Sequence, residues 1–328
     1  MNTKIVKINP RTPEPSKISA AAKIILSGGI VVFPTETVYG LGADATNNKA
    51  VGKIYKAKGR PSDNPMIVHI AKTDDIFNLS LDVPPKAIAL AKRFWPGPLT
   101  MVLKKSKVVS KKATSGLDTV AIRMPSHPIA SALIKAAGVP IAAPSANISG
   151  RPSPTEAAHS IDDLNGKVDM IIDGGPVSVG IESTVIDLSG STSLLLRPGK
   201  ITLEEIENVI GEVKVHSSIR RPWTRAVVKS PGMKYKHYSP RAKVILIIGK
   251  DAARRTMELS KQYGKSGKKI FTIHENNKEK LARTVFGKFR EADINNVDMI
   301  IVKGVDESGM GLAVMNRLKK ASSKIIRT

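Results

Sequence analysis

The sequence predicts an α/β protein built from two units. Three observations carry this reading. Strand and helix signals alternate over roughly the first two hundred residues, the periodicity vanishes between about 212 and 242, and a more regular strand–helix pattern then runs to the end. The divisions are therefore 1–212, a linker at 213–242, and a small unit at 243–328. A chain of 328 residues suits two domains better than one.

In the first unit, Ser16 is expected to cap a helix whose face is Ile18, Ala21, Ala22 and Ile25, ended by Gly28-Gly29. Ile30 to Phe33 reads as a short buried strand. Asn47 caps a helix carrying Val51, Ile54 and Tyr55. Met66 to Ala71 is a strand and Pro84 to Trp95 a helix with proline near its start. Leu99 to Leu103 and Thr119 to Met124 alternate as strands, His127 to Ala137 is helical, and Val139 to Ala143 is a buried strand. Pro154 to Leu164 is helical. Met170 to Ile172, Ser183 to Leu188 and Ser193 to Leu196 are strands, and Leu203 to Ile210 closes the unit as a helix.

The 213–242 stretch is basic and proline-punctuated, yet it is not low in complexity. It holds Trp223, Met233, Tyr235, His237 and Tyr238. Beyond it, Lys243 to Ile248, Lys269 to Ile273, Val297 to Val302 and Lys324 to Ile326 read as strands. They are separated by helices over Ala252 to Tyr263, Asn277 to Glu291 and Gly311 to Ala321. That repetition predicts a small parallel sheet covered by helices.

Composition narrows the function class. Zero cysteines exclude disulfides and thiolate metal sites and make the cytoplasm the default compartment. No apolar run approaches the ~20 residues of a membrane span, and the N-terminus has no signal-peptide pattern. The net charge of +24 favours contact with a polyanion (nucleotides, tRNA, ribosomes or acidic membranes) without choosing among them. Aromatic residues are only 4%, so there is little surface on which RNA bases could stack.

Five polar segments fall on loops at strand ends, where a rigid sheet commonly carries a site. Pro34-Thr35-Glu36-Thr37-Val38-Tyr39-Gly40-Leu41-Gly42 supplies hydroxyls and close backbone approach. Lys58-Gly59-Arg60-Pro61-Ser62-Asp63-Asn64-Pro65 sets a point charge beside a planar fork on a stiffened backbone, a pattern suited to phosphate oxygens. His69 follows in the next strand. Thr119 to Pro125 ends an alternating strand in Arg123, which can grip a carboxylate. Ala143-Pro144-Ser145-Ala146-Asn147 follows a very apolar strand and offers a hydroxyl and an amide. The fifth comprises Asp173 to Pro176, Gly180 to Asp187, and Arg197 at another strand end. The chain contains no Walker-type phosphate loop, no Gly-x-Gly-x-x-Gly, no His-Glu-x-x-His and no Gly-x-Ser-x-Gly.

Together these segments resemble the threonylcarbamoyl-AMP synthases that carry the YrdC-like fold. The matching pieces are Pro34 to Leu41, Lys58 to Pro61, Trp95 to Thr100, Val120 to Pro125, Ala143 to Asn147 and Ser183 to Asp187, in one order across the first unit. Ser230 to Pro240 and the final α/β unit resemble the long, two-domain form. The resemblance implies an N-terminal twisted mixed sheet with helices and a basic cavity, plus a small Rossmann-like C-terminal domain. It also implies an activity that joins L-threonine, bicarbonate (or CO2) and ATP into threonylcarbamoyl-AMP and pyrophosphate, for the downstream machinery that modifies tRNA.

Position by position, the resemblance puts Lys58, Arg60, Ser145 and Asn147 around the phosphates and the reacting carbamate. It puts Thr35, His69, Arg123, Ala143 and Ser183 around threonine, and Ser62, Thr119 and Arg197 near the nucleotide. Tyr235, His237 and Tyr238 form an expected lid. Mg2+ accompanies ATP, held mainly by phosphates and water, because no dedicated carboxylate cage is visible. A competing reading is an RNA-binding module, with direct tRNA contact, resting on the charge of +24 and on the basic cavity the resemblance implies. A second is a carbamoyl-phosphate-using maturation enzyme, against which the absence of cysteine counts.

Overall fold

A computed structural model describes residues 2–220 and 238–328, and two sheets organise them. The larger has 12 strands and mixes parallel and antiparallel pairing. Its order is Lys4–Lys7, Met170–Asp173, Val31–Pro34, Tyr39–Asp44, Ile141–Ala143, Ile67–His69, Thr119–Arg123, Leu99–Lys105, Thr184–Asp187, Leu194–Arg197 and Lys214–Val215, with Ser80–Asp82 paired beside Leu99–Lys105. The smaller sheet has 4 parallel strands in the order Ile270–Ile273, Met299–Lys303, Lys243–Ile248, Lys324–Arg327. Both are α/β layers with helices packed against them, as the alternating pattern predicts.

Local chemistry explains most of the element ends. Asn47 caps the helix Asn48–Lys58 by accepting from the backbone N–H groups of Lys49 and Ala50, and Gly59 ends it in the left-handed conformation at φ 60°. The helix Pro15–Leu26 buries Ile18, Ala21, Ala22 and Ile25, the face read from the sequence. Its cap differs from the expectation. Glu14 occupies that position and Ser16 lies within the first turn, because Pro15, with its fixed φ and missing N–H, is suited to the first helical position. The helix expected from Pro154 begins only at Ala157.

The main difference is at Pro34 to Gly42, expected to be one loop. Only its first part turns. Tyr39–Asp44 is a buried strand that pairs antiparallel with Val31–Pro34, forming a hairpin whose turn is Thr35 to Val38. Gly42 belongs there for a steric reason. A Cβ on it would lie 2.6 Å from the Phe33 ring and 2.7 Å from Ile141. Gly42 thus leaves room for the Phe33 and Ile141 side chains of the two neighbouring strands, and the hairpin brings Thr35 and Thr37 to the sheet end.

Among the described residues, no helix is long and apolar enough to cross a membrane.

Candidate active site

Strand ends and the loops that follow them converge on one cavity. The hairpin turn contributes Thr35 and Thr37. His69, Arg123, Ala143 and Arg197 come from the last positions of their strands, and Ser183 immediately precedes the strand Thr184–Asp187. Arg60, Ser145, Asn147 and Tyr238 complete the expected residues on the wall.

Of the four arginines on the described wall, three are buried: Arg60, Arg123 and Arg197. Arg123 is buried at the end of its strand. Its Nη2 lies 2.8 Å from Glu36 Oε1, its Nη1 donates to Thr37 Oγ1 at 2.9 Å, and its Nε reaches Gly97 O at 3.4 Å. Each terminal nitrogen therefore retains a second hydrogen for a ligand oxygen. Burial works to raise the Glu36 carboxyl, but the charge and hydrogen bond of Arg123 outweigh it, and the net displacement is downward.

Arg60 donates through Nε to Asn64 O at 3.1 Å and through Nη2 to Pro65 O at 2.8 Å. Arg197 donates to Ser183 twice, from Nε to the carbonyl at 2.9 Å and from Nη2 to Oγ at 3.0 Å. Burial lowers both guanidinium groups to about 10, so both remain cationic at neutral pH. Ser183 Oγ also meets Thr100 Oγ1 at 2.7 Å, which fixes the hydroxyl beside Arg197.

His69 is a neutral member of the set. Burial first, then the charge of Arg123, lowers it to about 3. Its Nδ1 lies 3.3 Å from Ile141 O, and its ring meets Phe33 edge to face. This arrangement holds an uncharged imidazole at the wall.

Lys58 occupies a different place from the one its spacing with Arg60 suggests. It is the last residue of its helix, 2% exposed, and it lies behind the wall. Its Nζ donates to Ser145 O at 2.5 Å and to Asn147 O. Burial, then the charge of Arg60, pushes its ammonium well below the ordinary value. The loop it grips is also tied elsewhere. Leu41 N donates to Pro144 O, Ala146 N to Tyr39 O, and Ser149 N to Lys58 O. Asn147 Nδ2 donates to Ile148 O at 2.8 Å and Arg151 O at 2.9 Å. Lys58 thus sets where Ser145 and Asn147 sit.

Two expected nucleotide contacts lie apart from the cavity wall. Ser62 is exposed on the loop after Arg60. Thr119 is at the opposite end of the strand that ends in Arg123, about 13 Å along an extended backbone. Of the expected lid, Tyr235 and His237 lie outside the described residues, while Tyr238 is buried and lines the cavity.

The wall also contains groups that the sequence did not single out. Glu182 is buried beside Ser183, accepting from Ser153 Oγ at 2.5 Å and from Arg317 Nε at 3.0 Å. Arg151 pairs with the buried carboxylate of Asp163 at 2.7 Å, and Asp163 in turn accepts from Ile148 N and from Arg290. The acid in the Thr35-Glu36-Thr37 run was a usable signal for the Arg123 pair. Nothing local announces Arg290 or Arg317, whose partners are 127 and 135 residues away. Among the described residues, no group of three His, Cys, Asp or Glu side chains is placed to hold a metal.

A strand-end cavity walled by arginines, hydroxyls and a neutral histidine has the make-up of a site for a small anionic ligand. Comparison with known proteins gives it a family. The family model described as telomere recombination matches residues 23–199, and that described as threonylcarbamoyl-AMP synthase, C-terminal domain, matches residues 201–323. The threonylcarbamoyl-AMP synthase of Pyrococcus abyssi is 50% identical over 336 aligned residues, covering 98% of each chain. That of Bacillus subtilis is 45% identical, covering 95% of this chain and 94% of its own. A crystal structure of P. abyssi Sua5 complexed with L-threonine superposes with a TM-score of 0.95 at 49% identity, covering 99% of this chain and 100% of that one. The chain belongs to the threonylcarbamoyl-AMP synthase family of enzymes.

Proposed function

We propose that the protein condenses L-threonine, bicarbonate (or CO2) and ATP into threonylcarbamoyl-AMP and pyrophosphate, as a nucleotidyltransferase supplying the N6-threonylcarbamoyladenosine modification of tRNA. The observation that carries this reading is the cavity wall. It combines Arg60, Arg123 and Arg197 with the hydroxyls of Thr35, Ser145 and Ser183. The relative crystallised with L-threonine supports the amino-acid half of the reading.

Threonine's amine adds to CO2 with loss of a proton, giving a carbamate. A carbamate oxygen then attacks the α-phosphorus of ATP, the bond to the β-phosphate oxygen breaks, and pyrophosphate leaves. The protein's part is to hold these groups together and stabilise the charge that builds on the phosphates. In this reading Arg123 receives the threonine carboxylate on the hydrogens left by Glu36 and Thr37. Thr35, His69, Ala143 and Ser183 surround the amino acid. Arg60 and Arg197 face the phosphates, and Ser145 and Asn147 face the reacting carbamate. Lys58 acts by holding the carbonyls of that loop.

The acidic side chain on the described wall, Glu182, and the neighbouring Glu36 are both already engaged, which supports a phosphate-held metal. Glu36 is paired with Arg123, and Glu182 with Arg317. Mg2+ then enters with ATP, held by its phosphates and water, and supplies charge neutralisation there.

The net charge of +24 favours approach to tRNA, and the adenylate would pass to a separate transfer machinery. Pyrophosphate release tests the reading. Release should require threonine, bicarbonate and ATP together. Release without threonine would overturn the reaction, and tight tRNA binding with no release would favour an RNA-binding module.

A further inference from the structure

The helices of the small unit pack against the loop that carries Glu182 to the cavity. A Cβ on Gly180 would lie 2.3 Å from Arg283 Cα, so the loop leading to Glu182 touches the backbone of the helix Lys278–Ile294. From the neighbouring helix, Met310–Ala321, Arg317 projects with no exposed surface. Its Nε donates to Glu182 Oε2 at 3.0 Å and its Nη2 reaches Glu182 O at 3.4 Å, while Nη1 donates to Pro198 O, one residue beyond Arg197. Its guanidinium also lies 5.9 Å from the Tyr238 ring centroid.

We propose that Arg317 is a positioning residue for the anion-binding wall, balancing and orienting Glu182 so that Arg197 stays on Ser183. Glu182 is buried and bonded to Arg317 at 3.0 Å. Arg317 and Arg197 are both close enough to stabilise its carboxylate electrostatically, with Arg317 dominant. Lys320, one helical turn along, is lowered to about 7 by burial and by the charges of Arg317 and Arg197, so it cannot replace Arg317 as a full cation at neutral pH. Without Arg317, a buried carboxylate remains on the wall, with Arg197 the other guanidinium whose charge acts on it. Turning toward Arg197, it would draw that guanidinium from Ser183 and repel incoming phosphates. The C-terminal unit, in this view, supplies part of the charge balance of a cavity otherwise built by the larger sheet.

This inference rests on the nucleotide reading above, so the test uses two probes. Binding of ATP and of pyrophosphate is measured calorimetrically on the full chain, with folding followed by circular dichroism. Arg317→Met keeps an apolar stem over Tyr238 and should weaken both anions about tenfold or more, the scale of coupling between contacting charges. Arg317→Lys should recover part of the loss.

The decisive variant is Arg317→Met with Glu182→Gln, which removes both charges together and should regain most of the affinity. Removing a buried pair as a unit is also far less disruptive than breaking it. A double variant as weak as Arg317→Met alone would show that Arg317 acts through packing and would overturn the proposal. Pyrophosphate binding without ATP binding would sink the nucleotide reading while leaving this comparison readable. A parent chain that binds neither overturns both.

Discussion

Glu36 and Arg123 form a buried ion pair at 2.8 Å, joining the hairpin turn to the end of the strand Thr119–Arg123. The arginine assigned to threonine's carboxylate therefore already has a carboxylate partner. That partner orients the guanidinium, and it also means that stability and binding can be separated by mutation.

Arg123→Ala should abolish the rise in melting temperature that threonine gives, and should destabilise the fold by about 3–5 kcal/mol, because Glu36 is left buried and unpaired. Adding Glu36→Gln should restore most of the stability and none of the threonine response. In the parent chain, serine should give a smaller rise than threonine, since a missing methyl in a fitted pocket costs roughly 1–3 kcal/mol. Denaturant unfolding and thermal shift read both quantities. Equal responses to serine and threonine would count against a threonine site.

Lys58 and Arg60, two residues apart, should fail in different ways. Arg60→Ala removes a preorganised cation from the wall, and turnover should fall about 10²–10³-fold. Lys58→Met removes no wall group but leaves the carbonyls of Ser145 and Asn147 without their donor. It should cost stability of about 1–3 kcal/mol for each carbonyl left unsatisfied, with turnover lost through a displaced loop. Pyrophosphate release and urea unfolding on both variants give the comparison. A Lys58→Met protein of unchanged stability would contradict the bridging role.

These two residues also show what the sequence discloses. The Lys-Gly-Arg-Pro spacing marks the right neighbourhood, but spacing along the chain does not say which way a side chain turns. Helix geometry carries Lys58 into the core, while Gly59, at φ 60°, reverses the chain so that Arg60 faces the cavity. Strand-end arginines were legible because a strand that ends in a charge has few places to put it. The C-terminal strands and helices were legible from period alone. Gly42 misled because a strand that must pack against an aromatic ring uses the same residue as a ligand loop, whereas Gly40 does line the cavity. Arg290 and Arg317 were invisible, since their partnerships depend on how two units dock.

His69 gives a pH prediction with a definite sign. Its ordinary value of 6.5 is lowered to about 3 in the folded protein by burial and by Arg123, with Glu36 opposing. The unfolded chain therefore binds a proton at a higher pH than the folded chain does. The stability contributed by the neutral ring is fully present above pH 6.5 and is lost as pH falls from there toward about 3. The urea midpoint should decline across that window, and His69→Gln should flatten the decline. An unchanged slope in the variant would show that His69 is not held neutral.

Tyr238 carries the last prediction, about retention of the product. It has φ 65°, a left-handed conformation that costs a bulky residue energy, so the surroundings must hold it. They do so from both units, the ring being held by the C-terminal one. The ring stacks on Phe286 at 5.2 Å between centroids, with Arg317 nearby, and Ser239 N donates to Gly150 O at 2.9 Å. One edge of the cavity is thus a linker residue gripped by the smaller unit, as a lid needs if it is to keep an adenylate from water. Tyr238→Ala should leave threonine and ATP consumption measurable while threonylcarbamoyl-AMP decays faster in solution, and Tyr238→Phe should behave like the parent if the ring is what matters. Removing residues after about 228 should give a larger version of the same defect, since ring, stack and the Arg317 contact all go together. The measurement is the ratio of adenylate recovered to pyrophosphate released, followed over time. A ratio in Tyr238→Ala equal to that of the parent would mean that the ring glues two units together and does not guard the product.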